Sequence, residues 1–591
     1  MTAIIFTKLK IPEANPYTVF MNFKLKSVFL LVLIVILSIF LRGYKLGEIP
    51  AGLNRDEAAI GFTAFSLWQT GSDEYGEKFP ISFKSFGDWK LPLYIYASIL
   101  PVASLGLNQS SVRLLSLFAG VLSIVPAFFI AKKVFQGSVR AALLTAFMLS
   151  ITPWHIHFSR IASEANLAVL FVSMGAVIYL YCSFSFKWLM IASIFFGVSL
   201  FTYHANHIFT PLLFLFLLLN LKKGKNTALI FALPFLVLAL IIFSKTLFSA
   251  DKTKLSGLSF FADRYSFYEK TDLLRLEHSA DFRVARLFHN KATYVIGRFT
   301  EGFLKSLSPE FLVIKGGSNS QHNIPNFGNL YIWEYPLLFA GIYFIFRQKL
   351  PFRLLLIFWL LVAILPSAIT RDSPHSARMF PVMPLLALFT TAGIKVLRGR
   401  FFPLVLTLIM SFSLLTYLDQ YFLHFPLNSD RMWGGGYRRL VETVGKYQPI
   451  YREIVIDRPE NSPYIYFLFY NKTDPGYYQK NVVRYPDDQE GFQHVKSLDN
   501  LKFKKLDWAN DLLIPGRLLI SFVDSTPPHA TQGAFLVDEI ILERLNREYH
   551  TDFGLSINDI VTSRVVETIS LRDNQPYIHI IKIAKQNGIQ N

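Results

Sequence analysis

Cysteine and charge are the features that this sequence has least of. Of its 591 residues one is Cys and 17% are charged, which excludes a disulfide scaffold and a metal centre built from several thiolates. Hydrophobic residues make up 52% of the chain, and Phe alone occurs 57 times. A soluble protein of this length has more charge and fewer apolar residues. The composition therefore predicts an integral membrane protein.

The net charge of +18 is unevenly distributed along the chain. Residues 1–421 contain 39 Lys and Arg against 20 Asp and Glu, whereas residues 422–591 contain 20 against 21. A nucleic-acid-binding face would be a basic patch on a soluble domain. Because the soluble-looking tail is neutral, we expect no nucleic acid partner.

Apolar runs of spanning or near-spanning length recur through the first 421 residues. By the rule that a spanning helix needs ~20 apolar residues, they predict about eleven transmembrane helices. The runs are residues 27–41, 112–131, 141–158, 165–183, 188–203, 207–221, 227–248, 330–346, 354–369, 380–394 and 402–421.

Basic residues without acidic neighbours collect in alternate loops, for example Lys132 and Lys133, and Arg347. Cytoplasmic loops carry such an excess, so we expect a multi-pass protein of the cell membrane with a cytoplasmic N-terminus and an extracytoplasmic C-terminus. This orientation places two long segments outside, which we call the first outer loop (residues 42–111) and the second outer loop (residues 249–329).

The tail after residue 421 has a different pattern. Short β-branched and aromatic runs alternate with polar helical stretches and turn signals; the strand-like runs are residues 453–456, 464–470, 518–522 and 577–583. We predict a mainly α fold, with a transmembrane domain in residues 1–421 and a small extracytoplasmic α/β domain in residues 422–591.

Two adjacent carboxylates, Asp56 and Glu57, occur in the first outer loop. The residues around them predict a turn and then a helix at the outer membrane surface. In one interpretation Asn54 caps this helix and Glu57 completes a capping box. In the other the acidic pair is catalytic.

The same loop contains two lysines, Lys84 and Lys90, and Pro92 is placed for the first turn of a second surface helix. Both lysines are able to reach lipid headgroups with their long side chains. Lys90 is the better placed of the two for binding an anion.

Four pieces of sequence together resemble the dolichyl-phosphate-mannose-protein mannosyltransferase superfamily, which includes the bacterial lipid A aminoarabinose transferases. They are Asp56 with Glu57, residues 90–94, residues 153–160 and residues 375–381. The resemblance covers most of residues 25–421 and implies the multispanning type C glycosyltransferase fold. Aminoarabinose transferases tend to have two consecutive prolines after the loop lysine, whereas here Leu91 separates Lys90 from Pro92.

The resemblance implies transfer of a monosaccharide from a polyprenyl-phosphate donor to an acceptor hydroxyl at the outer face, with inversion. The acceptor hydroxyl needs a general base, for which we choose Asp56, while Glu57 orients the acceptor or caps the helix. The departing lipid phosphate needs fixed cations and donors. The residues assigned to it are Lys90, Arg160, His375 and Arg378.

The second outer loop has a flexible, polar stretch around Asn319, which suits a loop that folds over a sugar or an acceptor. Glu310 and His322 are further candidates there, but two possible ligands without helical spacing make a poor metal site. We therefore predict no required metal and no cofactor.

Two alternatives remain open beside the monosaccharide transferase. An oligosaccharyltransferase or sugar ligase of the same fold would need metal-binding carboxylates on several outer loops. A lipid or solute transporter would need ionisable groups or broken helices near the bilayer midplane, whereas the charges here lie at helix ends. The expected partners are the polyprenyl-phosphate sugar, membrane lipids and an acceptor that is a protein, a lipid or a glycan.

Overall fold

The structure is a computed structural model, and it is mainly helical. It describes residues 25–182, 185–221, 224–248, 264–277, 281–397, 399–488, 492–549 and 553–586. The start of the second outer loop, residues 249–263, lies outside the described residues.

Most of the chain as far as residue 428 is α-helical. In chain order the helices are α1 (Leu25–Gly43), α2 (Arg55–Thr70), α3 (Pro92–Leu105), α4 (Gln109–Leu122), α5 (Ile124–Val134), α6 (Val139–Ile151), α7 (Pro153–Phe158), α8 (Glu164–Cys182), α9 (Phe186–Ser199), α10 (Asn206–Leu219), α11 (Lys225–Phe248), α12 (Arg264–Leu276), α13 (Phe282–Phe288), α14 (Lys291–Ser306), α15 (Glu334–Arg347), α16 (Arg353–Ala368), α17 (Ser376–Met379), α18 (Met383–Ile394), α19 (Phe402–Asp419) and α20 (Phe425–Asn428). Two short strands, β1 (Phe83–Ser85) and β2 (Asp88–Lys90), lie in the first outer loop.

Six helical segments in the described residues are long and apolar enough to cross a membrane. They are Leu25–Gly43, Gln109–Val134, Glu164–Cys182, Lys225–Ser244, Ser376–Ile394 and Phe402–Asn428. Five further apolar helices have 10–17 residues, among them Pro92–Leu105, which the sequence predicted as a surface helix. A multi-pass membrane protein is thus supported, whereas the count of eleven spans is not confirmed.

Some predicted spans are divided by residues that break a helix. The run 141–158 becomes α6 and α7, because Pro153 has no N–H with which to continue the first helix. The runs 188–203 and 207–221 are separate helices, α9 and α10, as predicted. The second outer loop also contains helices, α12 to α14, followed by a π-helical turn at Glu310–Ile314.

Close approach between α15 and α18 depends on glycine. A Cβ at Gly341 would lie 1.9 Å from the carbonyl oxygen of Phe389, and a Cβ at Gly393 would lie 2.2 Å from that of Leu337. No side chain larger than hydrogen fits at either position without moving the backbones apart.

The chain after residue 428 forms helices around one sheet of eight strands. Its elements are α21 (Gly435–Tyr447), β3 (Glu453–Ile456), α22 (Tyr464–Tyr470), α23 (Pro475–Asn481), β4 (Val483–Arg484), β5 (Val495–Leu498), β6 (Leu501–Phe503), α24 (Trp508–Asp511), β7 (Arg517–Phe522), α25 (Pro528–Thr531), β8 (Gln532–Leu536), α26 (Glu539–Tyr549), β9 (Ile560–Ser570) and β10 (Pro576–Lys585).

The sheet has the order β4-β5-β6-β3-β7-β10-β9-β8. Strand β3 runs parallel to β6 and β7, and the other pairs are antiparallel. Every residue of β7 is buried, which is typical of a central strand covered on both faces. One core beside the sheet includes Leu519, Ile581 and, from α26, Leu545.

One predicted strand in this region is wrong. Residues 464–470 form helix α22, although their aromatic and β-branched composition favours a strand. The seven residues are Tyr, Ile, Tyr, Phe, Leu, Phe and Tyr, so they are apolar on every side and lack the alternation of a half-buried strand. A helix that is buried nearly all round satisfies the same composition. The other three predicted runs lie in β3, β7 and β10.

The chain folds into two compact units. Of the described residues, the first unit comprises those within 25–46, 89–97 and 113–422, and the second comprises those within 47–88, 98–112 and 423–586. Most of the first outer loop thus belongs to the same unit as the tail.

Candidate active site

The acidic pair lies in the second unit, in the first turn of α2. Asn54 caps the helix, since its side-chain oxygen accepts the N–H of Glu57 at 2.8 Å, and the predicted cap is confirmed. Asp56 is half-buried, whereas Glu57 is only 1% exposed. The N–H groups of a first helical turn favour negative charge nearby, and Asp56 lies in that turn with part of its side chain exposed.

The residue before Asp56 is attached to the tail. Arg55 donates from Nη1 to the carbonyl oxygen of Glu460 at 3.2 Å, and its guanidinium lies 5.4 Å from the centre of the Phe86 ring. The positive charge next to Asp56 is therefore directed towards the 3₁₀ turn Pro459–Asn461.

Sequence reasoning missed a glycine-rich turn beside this helix. Three consecutive glycines, Gly434 to Gly436, stand between Trp433 and Tyr437. Leu53 contacts this turn, because a Cβ at Gly434 would lie 2.7 Å from the Leu53 carbonyl oxygen. Three glycines between two aromatic residues are visible in the sequence and would have marked this turn as a place of close backbone approach.

Lys90 lies in the first unit, at the end of β2, and is 8% exposed. The chain around it is tied to the turn between α9 and α10. The carbonyl oxygen of Trp89 lies 2.9 Å from His204 Nε2, and the N–H of Leu93 donates to the Phe201 carbonyl at 3.0 Å. Helix α3 begins at Pro92, as predicted.

The polar stretch of the second outer loop is folded against the segment 375–378. Asn323 makes the connection, since its Oδ1 accepts the N–H of Gly317 at 2.8 Å and the hydroxyl of Ser376 at 2.7 Å. Its Nδ2 donates to the carbonyl oxygen of Asn319 at 2.7 Å, and the Asn319 side chain accepts the N–H of Gln321 at 2.9 Å. Asn319 therefore shapes the loop, and Asn323 is a residue that the sequence did not single out.

His322 and His375 are brought together by this fold. Their ring centres lie 5.0 Å apart, and the His322 ring lies 5.6 Å from that of Phe158. Phe158 in turn stacks on Phe380 at 4.5 Å. Three of the stretches that were separate in the sequence thus meet here, namely residues 153–160, 316–323 and 375–381.

Arg378 and His375 share a carboxylate that was not predicted, Asp372. Arg378 donates from Nη1 to Asp372 Oδ1 and to the hydroxyl of Thr370, the latter at 2.9 Å. His375 Nε2 lies 3.6 Å from Asp372 Oδ2, while its Nδ1 accepts the backbone N–H of Arg378 at 3.3 Å.

The environment of His375 favours its neutral form. Burial lowers the pKa of His375 well below its ordinary value, and the positive charge of Arg378 and the nearby His322 lower it further. Since Nδ1 accepts a hydrogen bond, the proton of the neutral ring is on Nε2. Nε2 faces Asp372, whose Oδ2 lies 3.6 Å away.

Arg160 is fully buried, and both of its terminal nitrogens donate to backbone carbonyls. Its Nη1 donates to the carbonyl oxygens of Leu41 at 3.1 Å and Arg42 at 3.0 Å, and its Nη2 donates to that of Tyr44 at 2.7 Å. The guanidinium also lies 5.3 Å from the centre of the Tyr421 ring. This geometry favours a role in closing the C-terminal end of α1, and binding of the donor phosphate by Arg160 stays a prediction.

Glu310 is exposed, and its carboxylate pairs with Lys315 at 2.9 Å. Hydrogen bonding to Lys315 lowers the pKa of Glu310 below its ordinary value. Among the described residues no group of three or more His, Cys, Asp and Glu could hold a metal ion.

The first unit therefore assembles three of the predicted site residues, His322, His375 and Arg378, with Asn319 in the loop beside them. Arg160, Glu310 and Lys90 have the separate surroundings described above. In the second unit Asp56 and Glu57 share the first turn of α2.

Several solved structures are similar over much of the chain. ArnT from Cupriavidus metallidurans, bound to undecaprenyl phosphate, is 11% identical with a TM-score of 0.46, over 94% of this chain and 97% of that chain. The oligosaccharyltransferase AglB from Archaeoglobus fulgidus, in complex with an inhibitory peptide and a dolichol-phosphate, is 12% identical with a TM-score of 0.40, over 76% of this chain. The match spans 64% of the AglB chain.

The Pmt1-Pmt2 protein O-mannosyltransferase complex of S. cerevisiae, bound to the sugar donor, is also similar. It is 17% identical with a TM-score of 0.31, over 41% of this chain and 37% of that chain. No residue role in the present chain follows from similarities at this level.

A family comparison identifies the middle of the membrane part. No curated protein matches the chain. The sequence model of the family Dolichyl-phosphate-mannose-protein mannosyltransferase matches residues 91–248, roughly a quarter of the chain. The match begins at the residue after Lys90. Over residues 91–248 it confirms the resemblance inferred from the sequence.

Proposed function

We propose that this protein is an integral membrane glycosyltransferase that moves a monosaccharide from a polyprenyl-phosphate donor to the hydroxyl of a protein, lipid or glycan acceptor at the outer face, with inversion. The observation that carries the proposal is the family match over residues 91–248. The apolar helices support a lipid-linked donor, and the polar cluster around Arg378 supports recognition of its phosphate.

Asp56 is the general base in this proposal. An acceptor hydroxyl loses its proton as its oxygen bonds to the anomeric carbon, and a carboxylate near that proton accelerates the step. Asp56 is half-buried in the first turn of α2, so the carboxylate is held in place by the helix. The deeper Glu57 supports the first turn of the helix.

Arg378, His375 and Lys90 act on the leaving phosphate. As the glycosidic bond breaks, negative charge grows on the phosphate, so fixed donors stabilise the transition state more than the ground state. The guanidinium of Arg378 supplies charge, and the Nε2–H of neutral His375 supplies a directional hydrogen bond. Asn319 and His322 lie in the loop that covers this cluster.

Substitution of the acidic pair tests the proposal. Asp56→Asn keeps the size of the side chain but cannot accept a proton, so we expect the protein to fold, to bind the donor lipid and to lose transfer by roughly a hundredfold to ten-thousandfold. Glu57→Gln should lose less transfer activity than Asp56→Asn. The measurements are single-turnover transfer and donor affinity.

Thermal stability separates catalysis from capping. If the acidic pair only supports the helix, Asp56→Asn should be nearly neutral for turnover and any defect should appear as a lower melting temperature. An Asp56→Asn enzyme that keeps full turnover would remove the base from the proposal.

A further inference from the structure

Two glycines, one in the first outer loop and one in the tail, bring these segments into backbone contact within the second unit. A Cβ at Gly52 would lie 2.4 Å from the carbonyl oxygen of Trp433. A Cβ at Gly434 would lie 2.7 Å from the carbonyl oxygen of Leu53 and 2.9 Å from the hydroxyl of Tyr466. Both glycines also have positive φ, 80° and 61°, which other residues adopt only with strain.

Gly435 and Gly436, which follow Gly434 in the sequence, have different close neighbours. A Cβ at Gly435 would lie 1.5 Å from Asp430 Oδ1, and a Cβ at Gly436 would lie 2.7 Å from the Tyr577 ring. The run of glycines is therefore a fitted turn and not a flexible spacer, since each position is closed by a separate group.

Tyr466 lies beside this turn, since a Cβ at Gly434 would lie 2.9 Å from its hydroxyl. It is 4% exposed, and its ring stacks on that of Tyr437 with 4.0 Å between the centres. Burial raises the pKa of Tyr466 well above its ordinary value, and Tyr437, Tyr470, Tyr577 and the carboxylate of Asp56 raise it further. The contact between Arg55 and the Glu460 carbonyl, at 3.2 Å, is a second attachment of the same helical turn to the tail.

We propose that the turn at residues 433–436, together with Tyr466, positions Asp56 for proton transfer by fixing the backbone at residues 52–57. This inference rests on the proposed function, in which Asp56 is the base. Gly434 and Tyr466 are positioning residues, and the tail supplies no group to the reaction itself.

The sensitivity of proton transfer to distance gives the expected effect. A base must lie within hydrogen-bond reach of the proton it removes, and a displacement of about 1 Å can cost on the order of a hundredfold in rate. An added methyl group at Gly434 must displace the Leu53 carbonyl, three residues before Asp56. We expect kcat to fall by about tenfold to a hundredfold while the affinity for the donor lipid stays the same.

The test compares Gly434→Ala with Gly445→Ala in the full-length protein. Gly445 lies in α21, where a Cβ would have no neighbour within 4 Å, so the control adds the same methyl group to the same segment without a clash. We expect Gly445→Ala to behave as the wild type in kcat and donor affinity, with a melting temperature that is unchanged or slightly higher. A Gly434→Ala enzyme that matches this control would overturn the inference.

Tyr466→Phe provides a test that does not strain the backbone. It keeps the stacked ring and removes only the hydroxyl, which lies 2.9 Å from the position of a Cβ at Gly434. Because this hydroxyl packs against the turn, we expect kcat to fall while the affinity for the donor lipid stays the same. A lower melting temperature with unchanged kcat would contradict positioning even if Gly434→Ala failed to fold.

The double variant Asp56→Asn/Gly434→Ala separates the inference from the proposed function. If Gly434 acts through Asp56, the second change should cost no further residual turnover once the base is absent. If Asp56→Asn lowers turnover as proposed, and Gly434→Ala then lowers the residual turnover by the same factor as in the wild type, positioning is refuted while the general base stands. An active Asp56→Asn enzyme would refute the base, and the inference with it.

Discussion

Glu74 gives the second unit a pH dependence that can be predicted from its surroundings. It lies in the first outer loop after α2, is 2% exposed, and accepts a hydrogen bond from the hydroxyl of Tyr464 at 3.3 Å. Burial and, to a smaller extent, the charge of Asp73 raise the pKa of Glu74 to about 7, against the opposing effects of Arg484, Tyr464 and Tyr75. The folded protein therefore keeps a proton on Glu74 at a pH where the unfolded chain has lost it.

The sign and size of the change in stability with pH follow from this difference in protonation. Between the ordinary value of 4.5 and about 7, the folded state binds more protons than the unfolded state, so the stability of the second unit falls as the pH rises through this window and is constant above it. The total loss from Glu74 is about 3 kcal/mol. For a unit of this size that corresponds to a decrease in melting temperature on the order of 5 to 10 °C.

The variant Glu74→Gln should remove this dependence. The amide keeps an oxygen for the Tyr464 hydroxyl and never ionises, so we expect wild type and variant to melt together near pH 4.5 and to diverge by several degrees at pH 8, with the variant more stable. Burial also raises the pKa of Asp73, which contributes in the same direction to both proteins, so the difference between the two curves is the quantity to measure.

Glu77→Gln is the matched control, because Glu77 lies in the same turn but is exposed. Its melting curve should keep the pH dependence that Glu74→Gln removes, with only the small change expected from losing the Glu77 charge that raises the pKa of Asp73. Amide hydrogen exchange in residues 66–78 gives a local measurement of the same effect. If Glu74→Gln kept the pH dependence of the wild type, or were less stable at pH 8, the burial argument would be refuted.

Three further predictions concern the membrane part. Reporter fusions after Lys225 and after Asn591 should label opposite faces of the membrane, because basic loops without acids are expected inside; labelling of the same face would contradict the orientation. Lys90→Met should lower kcat more than it lowers donor affinity, since the phosphate gains charge during the reaction, and an unchanged turnover would indicate a lysine that serves lipid headgroups. Gly341→Ala should lower the melting temperature, because its Cβ would lie 1.9 Å from a carbonyl oxygen of α18. In the control Gly297→Ala the Cβ has no neighbour within 4 Å, so this variant should be neutral or slightly stabilising. Equal melting temperatures of the two variants would contradict the close packing.

Local signals in the sequence predicted local structure well. Asn54 predicted the start of α2 and Pro92 the start of α3, because capping and the fixed φ of proline act within one helical turn. The polar residues around His204 predicted the separation of α9 from α10, since polar groups in the middle of a span are costly. Each of these features is decided by residues a few positions apart.

Features decided by distant residues were not predictable in this way. Asn323 is an ordinary polar residue in the sequence, and its role comes from Ser376, which is 53 residues away and which the fold brings to it. The helical state of residues 464–470 is also a tertiary outcome. A short run that is apolar at every position suits a buried strand and a buried helix equally well, and the surrounding core decides between them. The grouping of the first outer loop with the tail is a further long-range result.

Arg160 and Arg378 show how the same residue type at helix ends can differ in availability. A phosphate that bound Arg160 would draw its N–H groups away from carbonyls at the end of α1, and a helix end in apolar surroundings leaves such carbonyls without other donors. Arg378 instead pairs with Asp372, and the two side chains are 12% and 44% exposed, respectively. A phosphate that took the place of Asp372 would replace one anionic partner of Arg378 by another and would leave no helix end uncovered. Within the proposed function, we therefore expect Arg378 rather than Arg160 to bind the donor phosphate.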